Sequence, residues 1–288
     1  MTRQLNLILV CALSLFMSLA VLGFLRAQEP TQASPLRWVA MGDFGSGMQA
    51  QQKVADRLWE TYQHTPYQFM LSLGDNIYPI GNIKKLASDR IETPYAPLWA
   101  KGVGFYPVLG NHDVIAGFGP AQMAYFKMPG RYYTFSKGQD PARVEFFALD
   151  TNTFHHDRQQ QQWLRHALAE SHARWKVVYA HHPVYSSGKH GSSKALSETL
   201  KPILEAAHVS LYLCGHDHDY ERFQPVNHVE YIVSGGGGAS LRQFDSPEPG
   251  SERRLSKHHF LLLSATAQSL TIEAIGVDGA LLDSVILQ

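Results

Sequence analysis

The sequence contains few cysteines and no excess of charge of either sign. Two cysteines occur in 288 residues, and Lys plus Arg equal Asp plus Glu at 25 each. Because Cys11 lies in an N-terminal apolar stretch, removal of that stretch would leave one thiol, so we expect no intrachain disulfide and interpret Cys214 as a small buried hydrophobe. A chain with no net charge and no run of like charges lacks the field that binds a polyanion, which argues against nucleic acid as a partner.

Charged residues are also absent from Leu5 to Leu25, behind a basic N-terminal flank. This pattern predicts export to the periplasm or the exterior. The stretch is nearly long enough to span a bilayer and Ala27 is a weak cleavage site, so cleavage and retention of residues 5–25 as a membrane anchor both stay open. The expected division is a signal peptide or signal anchor at residues 1–27, a polar linker at 28–35 and one domain at 36–288.

Short apolar runs alternate with helical patterns over most of the chain, as in an α/β protein, and no internal repeat is present. Helices are predicted from Met48 to Tyr62, over DRQQQQWLRHALAES and around residues 192–206. In the last third, VEYIVS, HHFLLLSAT, SLTIEAIG and LLDSVIL resemble strands with turn residues between them. These strands predict a second sheet packed on the first.

Oxygen and nitrogen donors follow five of the apolar runs. In an open α/β sheet, ligands bind beyond the carboxyl ends of the strands, so side chains far apart in the sequence can converge there. In four of the five blocks a glycine directly precedes the first donor residue, and it permits the sharp turn that convergence needs. The blocks are MGDFG, LGDNIY, LGNHD, YAHHP and CGHDH, and their donors are Asp43, Asp75, Tyr78, Asn111, His112, His181, His216 and His218.

Each of these residues taken alone has a simpler structural interpretation. Asp43, Asp75 and Asn111 suit turns or helix caps, and His181 and Tyr78 suit a core. Their joint occurrence favours a metal site instead. Even seven of these eight donors are too many for one tetrahedral zinc ion and suit two ions that share a carboxylate. A phenolate favours a hard trivalent ion such as Fe(III), and the lack of a cysteine ligand set argues against zinc-finger and iron–sulfur chemistry.

The motifs GDFG, GDNIY, GNHD, AHHP and GHDH resemble the five metal blocks of the purple acid phosphatases, within the calcineurin-like metallophosphoesterases. LSLGDNIY, YLCGHDH and HHPVYSSGKHG are similar in order and spacing to the small tartrate-resistant, animal-type branch. The likeness runs over residues 36–288. It implies an α/β (α+β) fold in which two packed mixed β-sheets are flanked by helices, as a four-layer sandwich of the metallophosphoesterase type.

The resemblance also implies roles for nine residues, carried over position by position onto the matching motifs. The implied set is Asp43, Tyr78 and His218 for Fe(III), Asn111, His181 and His216 for a divalent Fe, Zn or Mn ion, Asp75 for the bridge, and His112 and His190 for the phosphate or its leaving group. Neither His112 nor His190 is expected to bind metal.

Two departures from the family pattern stand out. His182 replaces the tyrosine often found beside the metal-binding histidine of the animal branch, and we expect it to pack against or support the site. The stretch TNTFHHDRQQQQ after Asp150 is shorter than the regulatory loop of the animal enzymes, which argues against proteolytic activation. His155 and His156 in this stretch are expected to be solvated.

The resemblance implies an exported acid phosphatase that hydrolyses small phosphate monoesters by in-line attack of metal-bound hydroxide, and it does not imply a partner protein. Within enzymes, the alternative is a phosphodiesterase or nucleotidase of the same superfamily, which usually lacks the tyrosine of GDNIY. From other classes, a non-catalytic metal-binding or phosphate-binding protein and an iron redox centre also stay open. Tyr78 is therefore the residue that best separates these hypotheses.

Overall fold

The computed structural model describes residues 34–288, so the predicted signal segment at residues 1–27 lies outside the described residues. Residues from Pro35 to Gln288 form one compact unit. Among the described residues, no helix is both long enough and apolar enough to cross a membrane. Cys214 is buried, as the sequence predicts.

Thirteen strands in the described region form two mixed sheets. The first sheet has the strand order β13-β12-β11-β1-β2-β3, and the second has the order β10-β8-β9-β7-β6-β5-β4. The strands are β1 (Leu36–Met41), β2 (Phe69–Ser72), β3 (Gly104–Pro107), β4 (Tyr133–Lys137), β5 (Val144–Ala148), β6 (Trp175–Tyr179), β7 (Leu211–Cys214), β8 (Tyr220–Phe223), β9 (Glu230–Ser234), β10 (Ser251–Leu255), β11 (His259–Ala265), β12 (Leu270–Gly276) and β13 (Leu281–Leu287).

Each sheet contains a set of adjacent parallel strands. Strands β1, β2 and β3 run parallel in the first sheet, and β5, β6, β7 and β9 run parallel in the second. Parallel strands end at the same edge of a sheet, which brings their carboxyl ends together. The two sets of parallel strands therefore offer two rows of strand ends for one site.

The two sheets pack face to face through an aromatic core. Trp38 of β1 stacks on Phe69 of β2 at 5.9 Å between ring centroids, and it meets the edge of Phe146 from the second sheet at 5.2 Å. Strand β1 is buried on both faces: Trp38 faces the other sheet, whereas Val39 faces the helices. This double burial explains its almost continuous apolar sequence.

Helices cover the outer face of each sheet. α1 and α3 pack on the first sheet, and α6, α7 and α8 pack on the second. The helices of the described region are α1 (Gln49–His64), α2 (Ile83–Ala87), a π-helical turn (Ser88–Glu92), α3 (Ala96–Ala100), α4 (Asn111–Val114), α5 (Gly119–Phe126), α6 (Arg158–Glu170), α7 (Lys194–Thr199) and α8 (Lys201–Ala206). The implied arrangement of two mixed sheets between helical layers is confirmed.

The prediction of a separate sheet in the last third is wrong. Strands β11, β12 and β13 extend the first sheet, because β11 pairs antiparallel with β1. Strand β9 instead joins the second sheet between β7 and β8. The helix predicted around residues 192–206 is divided in two, since Pro202 in the first turn of α8 has no N–H to continue α7.

Candidate metal centre

Five predicted donors lie just beyond the carboxyl ends of parallel strands. Asp43 follows β1, Asp75 follows β2 and Asn111 follows β3 in the first sheet. His181 follows β6 and His216 follows β7 in the second sheet. The facing sheets thus bring side chains from distant parts of the sequence to one edge of the sandwich.

Three of these residues have a left-handed backbone. The φ angles are 59° at Asp43, 53° at Asp75 and 73° at His216. Such a conformation costs about 1–3 kcal/mol per residue and persists where the surrounding structure enforces it. Gly110 and Gly215 are needed for space rather than for the turns that the sequence suggests. A Cβ at Gly110 would lie 2.1 Å from Asp75 Oδ1, and a Cβ at Gly215 would lie 2.3 Å from Asp43 Oδ2.

Asp43, Tyr78 and His218 form the first group of donor atoms. The Tyr78 hydroxyl donates to Asp43 Oδ1 at 3.0 Å and lies 3.1 Å from His218 Nε2. His218 Nδ1 donates to the Ser240 carbonyl at 2.8 Å, so its Nε2 presents a lone pair to the group. Burial raises the pKa of Tyr78, as do the carboxylates of Asp43 and Asp75. A cation at this place would offset those effects and allow a phenolate to form.

Asn111, His181 and His216 form the second group. His181 Nδ1 donates to the Leu73 carbonyl at 2.9 Å, which leaves Nε2 facing Asn111 Oδ1 at 3.0 Å and His216 Nδ1 at 3.2 Å. Burial lowers the pKa of His181, but the charges of Asp75 and Asp43 outweigh burial and raise it. Positive charge is therefore favoured here, whether a proton or a metal ion carries it.

Asp75 lies between the two groups. Its Oδ1 is 3.5 Å from His181 Nε2, and after burial and Asp43 its charge is a further influence that raises the pKa of Tyr78. Ligand atoms of Asp43, Asp75 and His181 all lie within 4.8 Å of one another. A carboxylate in this place can contact an ion held by either group.

His112 lies beside the first group. Its Nδ1 donates to the Pro79 carbonyl at 2.6 Å, and its ring centroid is 4.6 Å from that of Tyr78. Its Nε2 is 4.0 Å from Asp75 Oδ2. These contacts hold the His112 ring beside the seven proposed ligands, but the ring belongs to neither group of ligand atoms.

His190 lies beside the second group on an exposed loop. Its ring stacks on that of His216 at 4.1 Å, and its main-chain N–H donates to Asp217 Oδ1 at 2.9 Å. Asp217 Oδ2 also accepts from Ser186 at 2.6 Å, so one buried carboxylate holds both ends of the loop. Burial and then the charge of Arg242, which donates to His190 Nε2, lower the pKa of His190.

His182 lies at the outer edge of the second group. Its Nδ1 is 2.9 Å from the Thr151 hydroxyl, and its ring centroid is 4.5 Å from that of His216. One ligand atom from each of His181, His182 and His216 lies within 4.8 Å of the others, so the three could hold an ion. Burial, followed by the neighbouring His181, lowers the pKa of His182 to about 3, which keeps the ring neutral.

Sequence reasoning missed a buried carboxylate that joins two of the loops. Asp113 accepts hydrogen bonds from the main-chain N–H groups of Gly110, Asn76 and Ile77 at 2.8–3.1 Å. Burial, its largest influence, and Asp75 raise the pKa of Asp113 to about 6. The sequence signal for this residue was the final aspartate of the GNHD motif. Asp113 positions Asp75 and Asn111 by binding the main chain beside each of them.

The donor set fits two metal ions. In each group, a histidine nitrogen that carries a lone pair faces oxygen or nitrogen atoms of its neighbours at 3.0–3.5 Å. Lone pairs that face one another in this way are poorly matched as hydrogen-bond partners but suit a shared cation. Carboxylate, phenol, amide and imidazole ligands together suit iron and similar ions.

Known proteins share both the sequence pattern and this fold. The sequence model of the calcineurin-like phosphoesterase family matches residues 36–220. Tartrate-resistant acid phosphatase type 5 of Rattus norvegicus is 31% identical over 71% of this chain and 73% of its own length. The Homo sapiens protein of that name is 30% identical over 82% and 81%, and purple acid phosphatase 4 of Arabidopsis thaliana is 29% identical over 75% and 72%.

Two solved structures illustrate the shared fold. The purple acid phosphatase PPD1 from yellow lupin superposes with a TM-score of 0.78 at 20% identity, covering 89% of this chain and 54% of that one. GAP50, described as the anchor in the inner membrane complex of Plasmodium, gives 0.81 at 21% identity, covering 88% and 89%. At these identities the superpositions establish the fold alone. The sequence match over residues 36–220, together with relatives at 30–31% identity, shows that the chain belongs to the calcineurin-like phosphoesterase family.

Proposed function

We propose that this protein is a dinuclear metal-dependent acid phosphatase that hydrolyses small phosphate monoesters. The observation that carries the proposal is the convergence of two donor groups on Asp75 at the strand ends. The acid phosphatase names of the relatives at about 30% identity support the same activity. Tyr78, which hydrogen-bonds to Asp43, favours this activity over the phosphodiesterase or nucleotidase alternative.

The proposed ligands follow the two groups. Asp75 would be shared, and bound ions would supply a nucleophile at low pH and stabilise charge on the phosphoryl oxygens. Two carboxylates and one phenolate do not neutralise Fe(III) plus a divalent ion, so the site would attract a phosphate dianion. The ligands are Asp43, Tyr78 and His218 for Fe(III), Asn111, His181 and His216 for the divalent ion, and Asp75 for both.

Neighbouring carbonyls fix the proposed histidine ligands in the tautomer that metal binding requires. Ser240 accepts from Nδ1 of His218, and Leu73 accepts from Nδ1 of His181, so that Nε2 of each ring is free to bind. Replacing either histidine would remove a ligand nitrogen, whereas moving either carbonyl would turn that nitrogen away from the site. The strand-exit loops therefore contribute to the site through their main chain as well.

His112 and His190 are the proposed substrate contacts. They flank opposite ends of the donor set, since His112 packs on Tyr78 and His190 stacks on His216. From these positions their rings can hold phosphoryl oxygens or give a proton to the departing alkoxide. Arg242 already donates to His190 Nε2, so His190 would bind a substrate oxygen after that contact opens.

Export forms part of the proposal and is supported by the uncharged stretch in residues 1–27. An acid phosphatase outside the cytoplasm would meet phosphate esters that do not cross the membrane. Fractionation of cells that express the full chain or a version lacking residues 2–27 tests this assignment. Equal amounts of both versions in the cytoplasm would reject export.

Metal-loaded protein assayed with p-nitrophenyl phosphate and bis(p-nitrophenyl) phosphate tests the activity. We expect the monoester to be the better substrate at acid pH, and we expect a chelator to abolish turnover until metal is restored. Preference for the diester would favour the phosphodiesterase alternative. Protein that binds two metal ions per chain and hydrolyses neither ester would favour a non-catalytic role.

A further inference from the structure

A cavity of about 480 Å³ opens beside the metal centre. Tyr78, His112 and His218 line one side of it, and Arg90 and Arg242 also contribute to the wall. This volume lies in the range of small-molecule sites. A substrate whose phosphate lay on the donor groups would extend into this space.

Neither arginine in the wall forms an ion pair with a carboxylate of the described residues. Over residues 34–288, neither Arg90 nor Arg242 has a carboxylate oxygen within 4.0 Å, whereas Arg222 has three such partners. The Arg90 Nε atom is buried and also has no hydrogen-bond partner in the described part of the chain. Two guanidinium groups in one cleft without a carboxylate partner raise the local positive potential, and an anion bound between them would relieve that cost.

The main chain holds both arginines beside the site. Arg90 O accepts from the Gln51 side chain at 2.6 Å, and its guanidinium lies over Gly47, where a Cβ would be 0.9 Å from Nη1. Arg242 N–H donates to the His218 carbonyl at 3.3 Å, and its side chain donates to His190. Because Gly47 has no side chain, it leaves room for the Arg90 guanidinium. The hydrogen bond to the His218 carbonyl keeps the main chain of Arg242 next to the metal centre.

We propose that Arg90 and Arg242 form an anion subsite, and that the preferred substrates carry a second phosphate or a carboxylate besides the phosphate that is removed. Guanidinium groups bind either anion through paired N–H donors. This inference rests on the proposed phosphatase function and adds the substrate class. Simple alkyl and aryl monoesters would be turned over without using the subsite.

Matched substrate pairs test the subsite. The first pair is 3-phosphoglycerate and glycerol 3-phosphate, which share a primary-alcohol leaving group and differ by a carboxylate. The second is fructose 1,6-bisphosphate and fructose 6-phosphate. For at least one pair, kcat/KM should be about tenfold higher for the substrate with the extra anion, as expected for a charge-assisted contact. Arg90→Ala and Arg242→Ala should each lower that ratio several-fold.

Two further variants serve as controls. Arg242→Lys keeps the charge but loses the paired donors, so the ratio should fall part of the way. Lys101→Ala removes one exposed positive charge outside the cavity and should leave the ratio unchanged. Both substrates of a pair are assayed on the same protein sample. Partial misfolding of a variant therefore lowers both rates equally and leaves the ratio unchanged.

The outcomes separate the subsite from the phosphatase function. Hydrolysis of p-nitrophenyl phosphate with ratios near one for both pairs, unchanged by the arginine variants, would overturn the subsite and leave the phosphatase standing. If no ester is hydrolysed, calorimetric titration of metal-loaded protein with phosphate and pyrophosphate still tests the subsite. Tighter binding of pyrophosphate that Arg90→Ala removes would support it, and equal binding of the two anions would reject it.

Discussion

Two clusters of polar groups in this protein, both at least partly buried, are built in opposite ways. In the Arg222 cluster, which consists of Arg222, Tyr220, Glu230, Glu252 and Asp283, one guanidinium faces three carboxylates, and its Nε–Oδ2 distance to Asp283 is 2.7 Å. In the described metal centre, none of the seven proposed ligands carries a fixed positive charge. Lone pairs of neighbouring ligand atoms face one another there. The first cluster already holds a cation of the protein's own among its carboxylates, whereas the second is arranged to receive cations.

Asp75→Ala should give the largest effect, because it removes the carboxylate that both donor groups share. We expect both metal ions and all measurable turnover to be lost. Elemental analysis of purified protein checks the metal content. Asp283→Ala removes a carboxylate from the Arg222 cluster and should keep both ions. Two metal ions retained by Asp75→Ala would contradict its place as the bridge.

His190→Ala should keep both metal ions and lower kcat, because its ring faces the site without belonging to either donor group. A group that protonates the leaving alkoxide contributes about 10²–10⁴-fold, and less for leaving groups that need no proton. Steady-state kinetics with alkyl and nitrophenyl phosphates measure the difference. Equal losses for both esters would reject the leaving-group role. His155→Ala, at an exposed position of the 151–157 loop, is the control and should not change kcat.

Arg222→Ala should destabilise the fold without releasing metal. Removing one partner from this partly buried ion-pair cluster should cost about 1–3 kcal/mol, since Glu230 stays buried whereas Glu252 is exposed to solvent. Arg254 lies on the neighbouring strand β10 and is exposed, so Arg254→Ala should cost less than about 0.5 kcal/mol. Urea unfolding of both variants measures the difference. Equal free energies of unfolding would show that the Arg222 cluster does not stabilise the fold.

Glu230→Gln should change the pH dependence of stability. Burial raises the pKa of Glu230 to about 7, against 4.5 in the unfolded chain, so the folded state retains a proton that the unfolded state releases. The wild type therefore loses stability as pH rises from 4.5 through 7, by up to roughly 3 kcal/mol. The variant should match the wild type at pH 4 and unfold at higher temperature at pH 8. A constant difference between pH 4 and pH 8 would contradict the shifted pKa.

The proposed ligands could be found from sequence because each follows a recognisable strand end. The apolar runs before Asp43, Asp75 and His216 predict strands, and parallel strands must end at a common edge. The family resemblance then separated Fe(III) ligands from ligands of the divalent ion. Their identity as ligands stays a prediction, although the structure brings all seven side chains together.

Other features depend on contacts that no local pattern reveals. Strand β10 has the charged sequence SERRL, which lacks alternating hydrophobicity, and it forms because β8 offers a pairing edge. The pairing of β1 with β11 joins segments more than 200 residues apart, so the sequence could not show which sheet the last strands enter. Asp217 and Arg242 likewise meet His190 only after the loops fold.

The visible absorption spectrum of iron-loaded wild-type protein, recorded beside that of Tyr78→Phe, tests the proposed metal centre most directly. A phenolate bound to Fe(III) should colour the wild type violet through charge transfer, and the variant should lose that band while its six remaining donors hold metal more weakly. If Tyr78 is only a core residue, the variant loses one hydrogen bond, worth about 1 kcal/mol. Colourless wild-type protein that holds two metal ions, one of them ferric, would contradict the tyrosinate ligand and favour the phosphodiesterase alternative.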